Sequence, residues 1–454
     1  MNTTKLNLKT FYILLFGQSI SILGTGMTRF AVMIWAYEQT RSATALALLG
    51  FFNCITYILA SPFAGVLVDR LPRRKVMFFA DLSAGLMTAM LLVIQMTGEL
   101  QLWHLYLAIG LAGIFEAFQD PAFTSTVSLL VPKDEYVRSN GMLGMGRSVA
   151  RMLAPIFAGL VQQVLGLNAV LSIDIFTMSI ALLGLLMIRI PGAPVSAVGV
   201  ESRGSFWQEV RFGMAYIFRQ AGLRNLTLSF FLVNLFATLT YFAVLSPMIL
   251  ARTGGDETAL GIVRTAMGIG GITGGALLVA SKSPQRKARM YLLVTGLSFL
   301  ICDAGMAVSR SVVGWSIAGF LAELTIPFLV SPYYALWQET VPPDVQGRVF
   351  SIREMIQIAS QPIGFLLGGL MADRLFEPAM QSSGWFSMLF GGLVGTGPGA
   401  GMASMFLLTS VCGSLLGFLG LLLPSIRRLD EPGSFDHHLK RLPDQSLTLS
   451  KESS

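Results

Sequence analysis

Apolar residues run through this chain in long blocks broken by short polar turns. A block of about 20 apolar residues, wound as an α-helix, spans the hydrocarbon core of a bilayer. Twelve blocks meet that length: Phe11 to Tyr37, Ala43 to Val68, Val76 to Met96, Trp103 to Val131, Asn140 to Gln162, Leu167 to Ile188, Leu226 to Leu250, Leu260 to Ala280, Met290 to Val308, Val312 to Trp337, Val349 to Ala372 and Gly401 to Leu423. Between the sixth and seventh the pattern changes. There Phe206, Trp207, Val210, Met214 and Phe218 recur at three- and four-residue steps among polar neighbours, which predicts an amphipathic helix at the membrane surface. The stretch from Phe376 to Ala400 reads as an unusually long outward loop, rich in Gly and with Trp385 and Phe386 suited to the interface, to which the pattern assigns no form. The expected organisation is a short tail over 1–10, a six-helix bundle over 11–190, a linker over 191–224, a second bundle over 225–426, and a polar, disordered tail over 427–454. His437, His438 and Lys440 cluster in that last tail and are read as solvated rather than metal-binding.

The two halves repeat each other. Phe30-Ala31-Val32 recurs as Phe242-Ala243-Val244, Thr44-Ala45-Leu46 as Thr258-Ala259-Leu260, and Arg74-Lys75 as Arg286-Lys287. Val131-Pro132 with Arg138 recurs as Val341-Pro342 with Arg348, and all four offsets fall between 210 and 214. Matches in one order at nearly one offset indicate duplication of a six-span unit in parallel orientation.

Composition agrees, with 53% hydrophobic and 13% charged residues, where a soluble protein carries roughly 25% charged. The fold class is therefore an all-α polytopic membrane protein. Net charge +7 does not imply nucleic acid, because the cations sit in short clusters between apolar blocks. Of 32 Lys and Arg, 23 fall in the tails and on the side of the even-numbered connections. Arg41, Arg252, Arg310 and Arg374 fall in the opposite loops, so the positive-inside rule predicts cytoplasmic termini. The block from Phe11 is too long for a secretory h-region and shows no small-residue cleavage site, so it reads as a retained span. Cys54, Cys302 and Cys412 lie singly in apolar runs and read as core residues. No HExxH, GxSxG or Walker loop is present, which argues against an enzyme, a cofactor or ATP hydrolysis.

The turn between the second and third spans reads Gly65-Val66-Leu67-Val68-Asp69-Arg70-Leu71-Pro72-Arg73-Arg74-Lys75. A glycine four residues before Asp-Arg, then paired arginines after a bend, resembles the loop between helices 2 and 3 of the major facilitator superfamily. Pro72 stands where that family's second glycine is usual, giving a stiffer turn. Span 5 carries Ala154-Pro155-Ile156-Phe157-Ala158-Gly159, a worn form of the family's antiporter signature. Phe16 to Gly24, Trp35 to Thr40 and Gly347-Arg348-Val349-Phe350-Ser351 resemble the branch of the macrolide-efflux proteins and the enterobactin exporter. The resemblance covers about Leu6 to Arg428. It implies two pseudo-symmetric six-helix bundles, a monomer in the plasma membrane, and proton-coupled export of amphipathic small molecules such as drugs, siderophores or metabolites by alternating access. A proton-coupled importer of the same fold is the alternative.

Polar side chains inside a span are costly and usually face a cavity or a partner. Glu116 and Asp120 share a face of span 4, and Glu323 lies in span 10, the repeat counterpart of span 4. Two readings are open for Glu116 and Glu323: a proton-coupling pair, or ion pairs with Arg147, Arg151 or Arg264 that hold helices together. Arg29 either meets an anionic substrate group or pairs with an acid. Phe30, Trp35, Phe115, Phe118, Asn234, Tyr241 and Phe242 are candidate cavity walls. Gly65, Asp69, Arg70, Arg73 and Arg74 form a candidate cytoplasmic gate. In that gate Asp69 is expected at the N-terminal end of span 11, around Gly347 to Ser351, and Arg73 and Arg74 are expected on Asp120 or Asp344. Asp120, Arg147, Arg151 and Arg348 are candidate structural charge partners, with Asp120 assigned to the basic turn. Asp81, Asp174, Asp303, Arg353 and Glu354 complete the set of charges within spans.

Overall fold

The computed structural model describes residues 8–40, 43–381 and 384–431. The histidine cluster of the last tail lies outside them. The first half comprises α1 (Leu8–Thr40), α2 (Ala43–Arg70), α3 (Arg73–Thr97), α4 (Leu102–Leu130) and α5 (Tyr136–Met187). A linker carries α6 (Ala197–Glu201) and α7 (Phe206–Arg219). The second half comprises α8 (Ala221–Ala237), α9 (Leu245–Thr253), α10 (Glu257–Ala280), α11 (Lys287–Ser298), α12 (Ala304–Val308), α13 (Val312–Thr340), α14 (Gln346–Met371), α15 (Glu377–Gln381), α16 (Trp385–Val394), α17 (Ala400–Gly420) and α18 (Pro424–Arg427). Short π-helical segments join α8 toward α9, α11 to α12, and α14 to α15.

Among the described residues eleven helical stretches are long and apolar enough to cross a membrane. One of them counts twice. The helix α5 runs for 52 residues but breaks at Gly166, whose φ of 78° with ψ of 177° suits glycine alone. Ser19 and Gly26 of α1 lie against Gly146 and Ala154, so the first limb of α5 runs parallel to α1. Gly17 and Gly24 lie against Ala181 and Thr177, so the second limb runs antiparallel. The chain reverses at Gly166, giving twelve crossings.

Both described ends lie on one side of the bundle. Phe11 shares a core cluster with Val76, Tyr136 and Ile188, and Asp430 accepts hydrogen bonds from the Ala288 and Arg289 N–H groups, at 2.8 and 3.1 Å. The linker sits there too. We call this the basic side and its opposite the outer side.

Each half is pinned through its first, third and sixth spans by one buried acid. Asp174, on the second limb of α5, accepts from Thr25 of α1 (3.2 Å) and Thr88 of α3 (3.0 Å). Asp303, between α11 and α12, accepts from Tyr241 (2.9 Å) and from Thr409 of α17 (2.6 Å). Acid and threonine have exchanged places between the third and sixth spans of the repeat, while the junction persists. A carboxyl group at that depth needs such donors, because lipid offers none.

The Gly-rich outer stretch, to which the sequence assigned no form, is largely helical. The π-helical turn and α15 extend α14 outward, and α16 follows with Trp385, Met388, Leu389 and Leu393 exposed along it. The linker also differs from its amphipathic pattern. In α7 the buried face is Glu209, Gly213, Tyr216 and Ile217, which docks on protein, while Trp207 and Phe218 stay exposed.

Candidate functional site

On the basic side the halves are sealed by the turn between α2 and α3. Because α14 starts on that side with unpaired N–H groups, an anion placed there is favoured. The Asp69 carboxylate occupies that place. It accepts from Gly347 N at 2.7 Å, Arg348 N at 3.0 Å and Arg348 Nε at 3.1 Å. The side chains are almost wholly buried, 1% exposed for Asp69 and 4% for Arg348. Gly65, one turn earlier, permits the approach: a Cβ there would lie 2.8 Å from the Arg348 Cα. Arg73 donates to the Ser125 carbonyl at 2.7 Å and to the Pro343 carbonyl, joining α4 to the α13–α14 turn. Beside it Ser128 bonds Gln346 (2.6 Å), Asn140 bonds Gln338 (2.8 Å), and Gln338 bonds the Thr124 carbonyl (3.1 Å).

The linker is the third party to this seal. Glu209 of α7 takes Arg70 at 2.9 Å and lies 3.7 Å from Arg348, so one acid is shared by cations from the two halves. Arg348 Nη1 also donates to the Ser202 carbonyl and hydroxyl, both at 3.1 Å. Ser196 binds the Asp344 carboxylate through its N–H at 2.7 Å and its hydroxyl at 2.8 Å.

Above the seal, charged side chains from several helices remain partly exposed. Arg29 pairs with Glu116, which also accepts from Asn53 at 3.3 Å. Arg147 lies 3.8 Å from Asp120. Arg151 lies 3.9 Å from Glu323, reaching from one half to the other. Half-exposed arginines at membrane depth indicate a water-filled cavity, because lipid-facing cations are not tolerated there. The interhalf bonds described above stop at this level, so the cavity opens to the outer side.

At the cavity floor a row of side chains joins the halves. Tyr57 of α2 sits with its hydroxyl 3.1 Å from Glu354 Oε2 and 3.4 Å from Asp120 Oδ2. Arg353 donates to Glu354 Oε1 at 2.6 Å. The guanidinium of Arg353 is fully buried beneath Tyr334 and Phe350, each 4.6 Å from its centre, and Trp337 at 5.5 Å. Its Nε and Nη1 find no hydrogen-bond partner among the described residues, so the aromatic faces carry that side of the charge.

A twelve-crossing bundle of two repeats, sealed by a carboxylate on a helix N-terminus, is the setting in which the comparisons fall. The family model described as Major Facilitator Superfamily matches residues 14–365. The chain belongs to the Major Facilitator Superfamily. Macrolide efflux protein A of Streptococcus pyogenes is 28% identical over 372 residues, covering 80% of this chain and 90% of that protein. Multidrug efflux pump Tap of Mycolicibacterium fortuitum is 25% identical over 433 residues, covering 92% and 96%. Among solved structures, a bacterial homologue of the iron transporter ferroportin aligns with a TM-score of 0.65 at 18% identity, covering 91% of this chain and all of that one. The E. coli fucose:proton symporter aligns with a TM-score of 0.61 at 13% identity, covering 91% and 98%. These structures share the fold.

In this facilitator several expected partnerships are rearranged. Asp120 does not meet the basic turn but Arg147 and Tyr57, because it lies well above the end of α4 and faces the cavity. Arg74 donates to the Leu186 carbonyl at 2.6 Å, within its own half. Arg73 bonds carbonyls, and Asp344 is taken by Ser196. Arg264 donates to Ser246 Oγ at 2.9 Å and is not paired with Glu116 or Glu323. Asn234 turns back to the Phe230 carbonyl, and Tyr241 is drawn inside the second bundle by Asp303 and Phe406, so neither reaches the cavity as a free polar wall. Phe30 and Trp35 pack partly on the outer core of the first bundle. Phe118 packs partly beside Tyr57. Phe115 is half-buried, and Phe242 is exposed against the edge of Phe365. Tyr57, Asn53 and Glu209 were not singled out from the sequence. Tyr57 and Asn53 are ordinary polar residues in α2 until α4 and α14 are placed beside them, and Glu209 lies off the apolar stripe of α7, so only the docking of that helix on the gate singles it out.

Proposed function

We propose that this facilitator exports amphipathic small molecules from the cytoplasm, driven by proton entry, as a monomer in the plasma membrane with its termini and linker on the cytoplasmic side. The observation that carries the reading is the cavity above the sealed basic side, lined by Arg29–Glu116, Arg147–Asp120 and Arg151–Glu323. Paired acids and cations inside an otherwise apolar bundle suit a solute with both an apolar body and a polar end. The curated relatives support export, since their names describe macrolide and multidrug efflux.

Glu116 and Glu323 are the proposed coupling pair. A proton on Glu323 weakens its hold on Arg151 across the halves, and a proton on Glu116 does the same to Arg29 within one half. Substrate entering from the cytoplasm competes for the acids those protons leave. The test is transport in inverted vesicles with and without a proton gradient, after a growth-protection screen across antibiotics and iron chelators has found a substrate. Accumulation that needs an acid interior supports the reading. Uptake in the opposite sense identifies an importer, and unaltered gradient dependence in E116Q/E323Q removes the coupling pair.

A further inference from the structure

The floor of the cavity holds an acid on each half, and both converge on one phenol. Asp120 of α4 and Tyr57 of α2 belong to the first bundle, and Glu354 of α14 to the second. Asp120 is partly exposed to the cavity, and Glu354 is buried beneath it. Glu354 lies six residues beyond Arg348, about 9 Å along the helix from the Asp69 seal at 1.5 Å per residue. The other charged or titratable groups facing the pair are Arg353 from α14, Arg147 from α5, Arg29 from α1 and Tyr334 from α13.

Two oxygen–oxygen contacts meet at the Tyr57 hydroxyl, but that hydroxyl has one proton to donate. With both acids ionised, a phenol that donates to Glu354 presents only lone pairs to Asp120, and two carboxylates crowd one oxygen, the Glu354 carboxylate buried and the Asp120 carboxylate open to the cavity on one side only. Arg147 relieves Asp120 only loosely, at 3.8 Å. One added proton completes the row. The Asp120 carboxyl O–H then donates to the Tyr57 oxygen, whose own O–H donates to Glu354, and both contacts become hydrogen bonds.

We propose that Asp120, Tyr57 and Glu354 form a further proton site, apart from Glu116 and Glu323, that is complete only while the basic side is closed. A proton arriving from the outer cavity adds to Asp120. Transfer through Tyr57 moves it inward without changing the phenol: Asp120 loses a proton to the Tyr57 oxygen as Tyr57 passes its own to Glu354. When the bundles part on the basic side, Glu354 leaves with the second half and Tyr57 turns its hydroxyl back to Asp120. Both acids then meet water, and the proton departs on that side. This deepens the proton-coupled reading above and rests on it. The sign follows by linkage: the closed form binds one proton more, so acid favours closure and rising pH favours opening.

The experiment places a spin-label pair on exposed Asp134 and Lys282, one in each bundle on the basic side, with the three cysteines replaced. The full chain is reconstituted in liposomes, and the closed-to-open ratio is read against pH. The wild-type ratio is expected to change by up to about tenfold per pH unit, the limit for one proton. In D120N the amide donates permanently to Tyr57, so the closed form is expected to dominate with a slope below about twofold per unit. Y57F removes the shared donor and is expected to flatten the slope without that bias toward closure, and E354Q reads the same site from the other half should either variant fail to fold. A wild-type slope surviving in the folded variants among D120N, Y57F and E354Q overturns the proposal, as does a slope lost in E116Q/E323Q alone. Gradient-dependent efflux with no wild-type slope overturns this site but leaves proton coupling standing. Efflux indifferent to the gradient removes both.

Discussion

Replacing Asp69 by Asn tests the seal with almost no change of shape. The carboxylate accepts three hydrogen bonds, two from backbone N–H groups at the start of α14 and one from Arg348 Nε, in a site closed to water. An amide keeps one accepting oxygen and turns an NH2 group toward the remaining donors. It also leaves the Arg348 guanidinium with Ser202 and Glu209 but without its nearest anion. Breaking a buried pair by removing one partner costs about 3–5 kcal/mol, and the retained oxygen argues for the lower end. Asp69 and α14 belong to different halves, so this loss falls on the closed form alone. At 1.4 kcal/mol per tenfold, D69N is expected to shift the closed-to-open equilibrium on the order of 10²-fold toward opening on the basic side. The assay is the interbundle label distance at fixed pH, with R138A as control. Arg138 pairs with Glu135 at 3.5 Å where both side chains are well exposed, so its loss should stay within about 0.5 kcal/mol. A D69N equilibrium within about twofold of wild type, the equivalent of the control's limit, would refute the claim that this carboxylate fastens the halves.

Other substitutions separate gate from scaffold. Gly65→Val sets side-chain atoms against the Arg348 backbone, where a Cβ alone would come within 2.8 Å, and is expected to prevent closure as read by the same labels. Glu209→Gln removes the anion shared by Arg70 and Arg348. It is expected to open the basic side by less than D69N, because Arg348 keeps Asp69, and to speed trypsin cleavage at Arg203. Thr409→Val takes one donor from Asp303 inside the second bundle. It should lower stability by about 1–3 kcal/mol in detergent melting while leaving the label distance unchanged, and a moved gate would contradict its assignment to the scaffold.

The number of crossings and the doubling of the chain were legible because lipid leaves few choices. A span must be about 20 apolar residues long, its ends must be polar, and a duplicated unit keeps its punctuation. The position of Asp69 on α14 was also within reach, since an acid beside a tight turn and a bare helix N-terminus are complementary in any fold that brings them together. Contacts made sideways between helices were not. Whether Asp120 meets Arg73 or Arg147 depends on the depth and rotation of α4 against α5. Whether Tyr241 lines a cavity or serves Asp303 depends on which face of its helix turns inward. Apolar periodicity is nearly silent about rotation when every face of a helix is apolar, toward lipid on one side and protein on the other. The tertiary structure alone therefore decided which acids share a phenol, which cation lies under a roof of rings, and that the linker supplies the gate with its third charge.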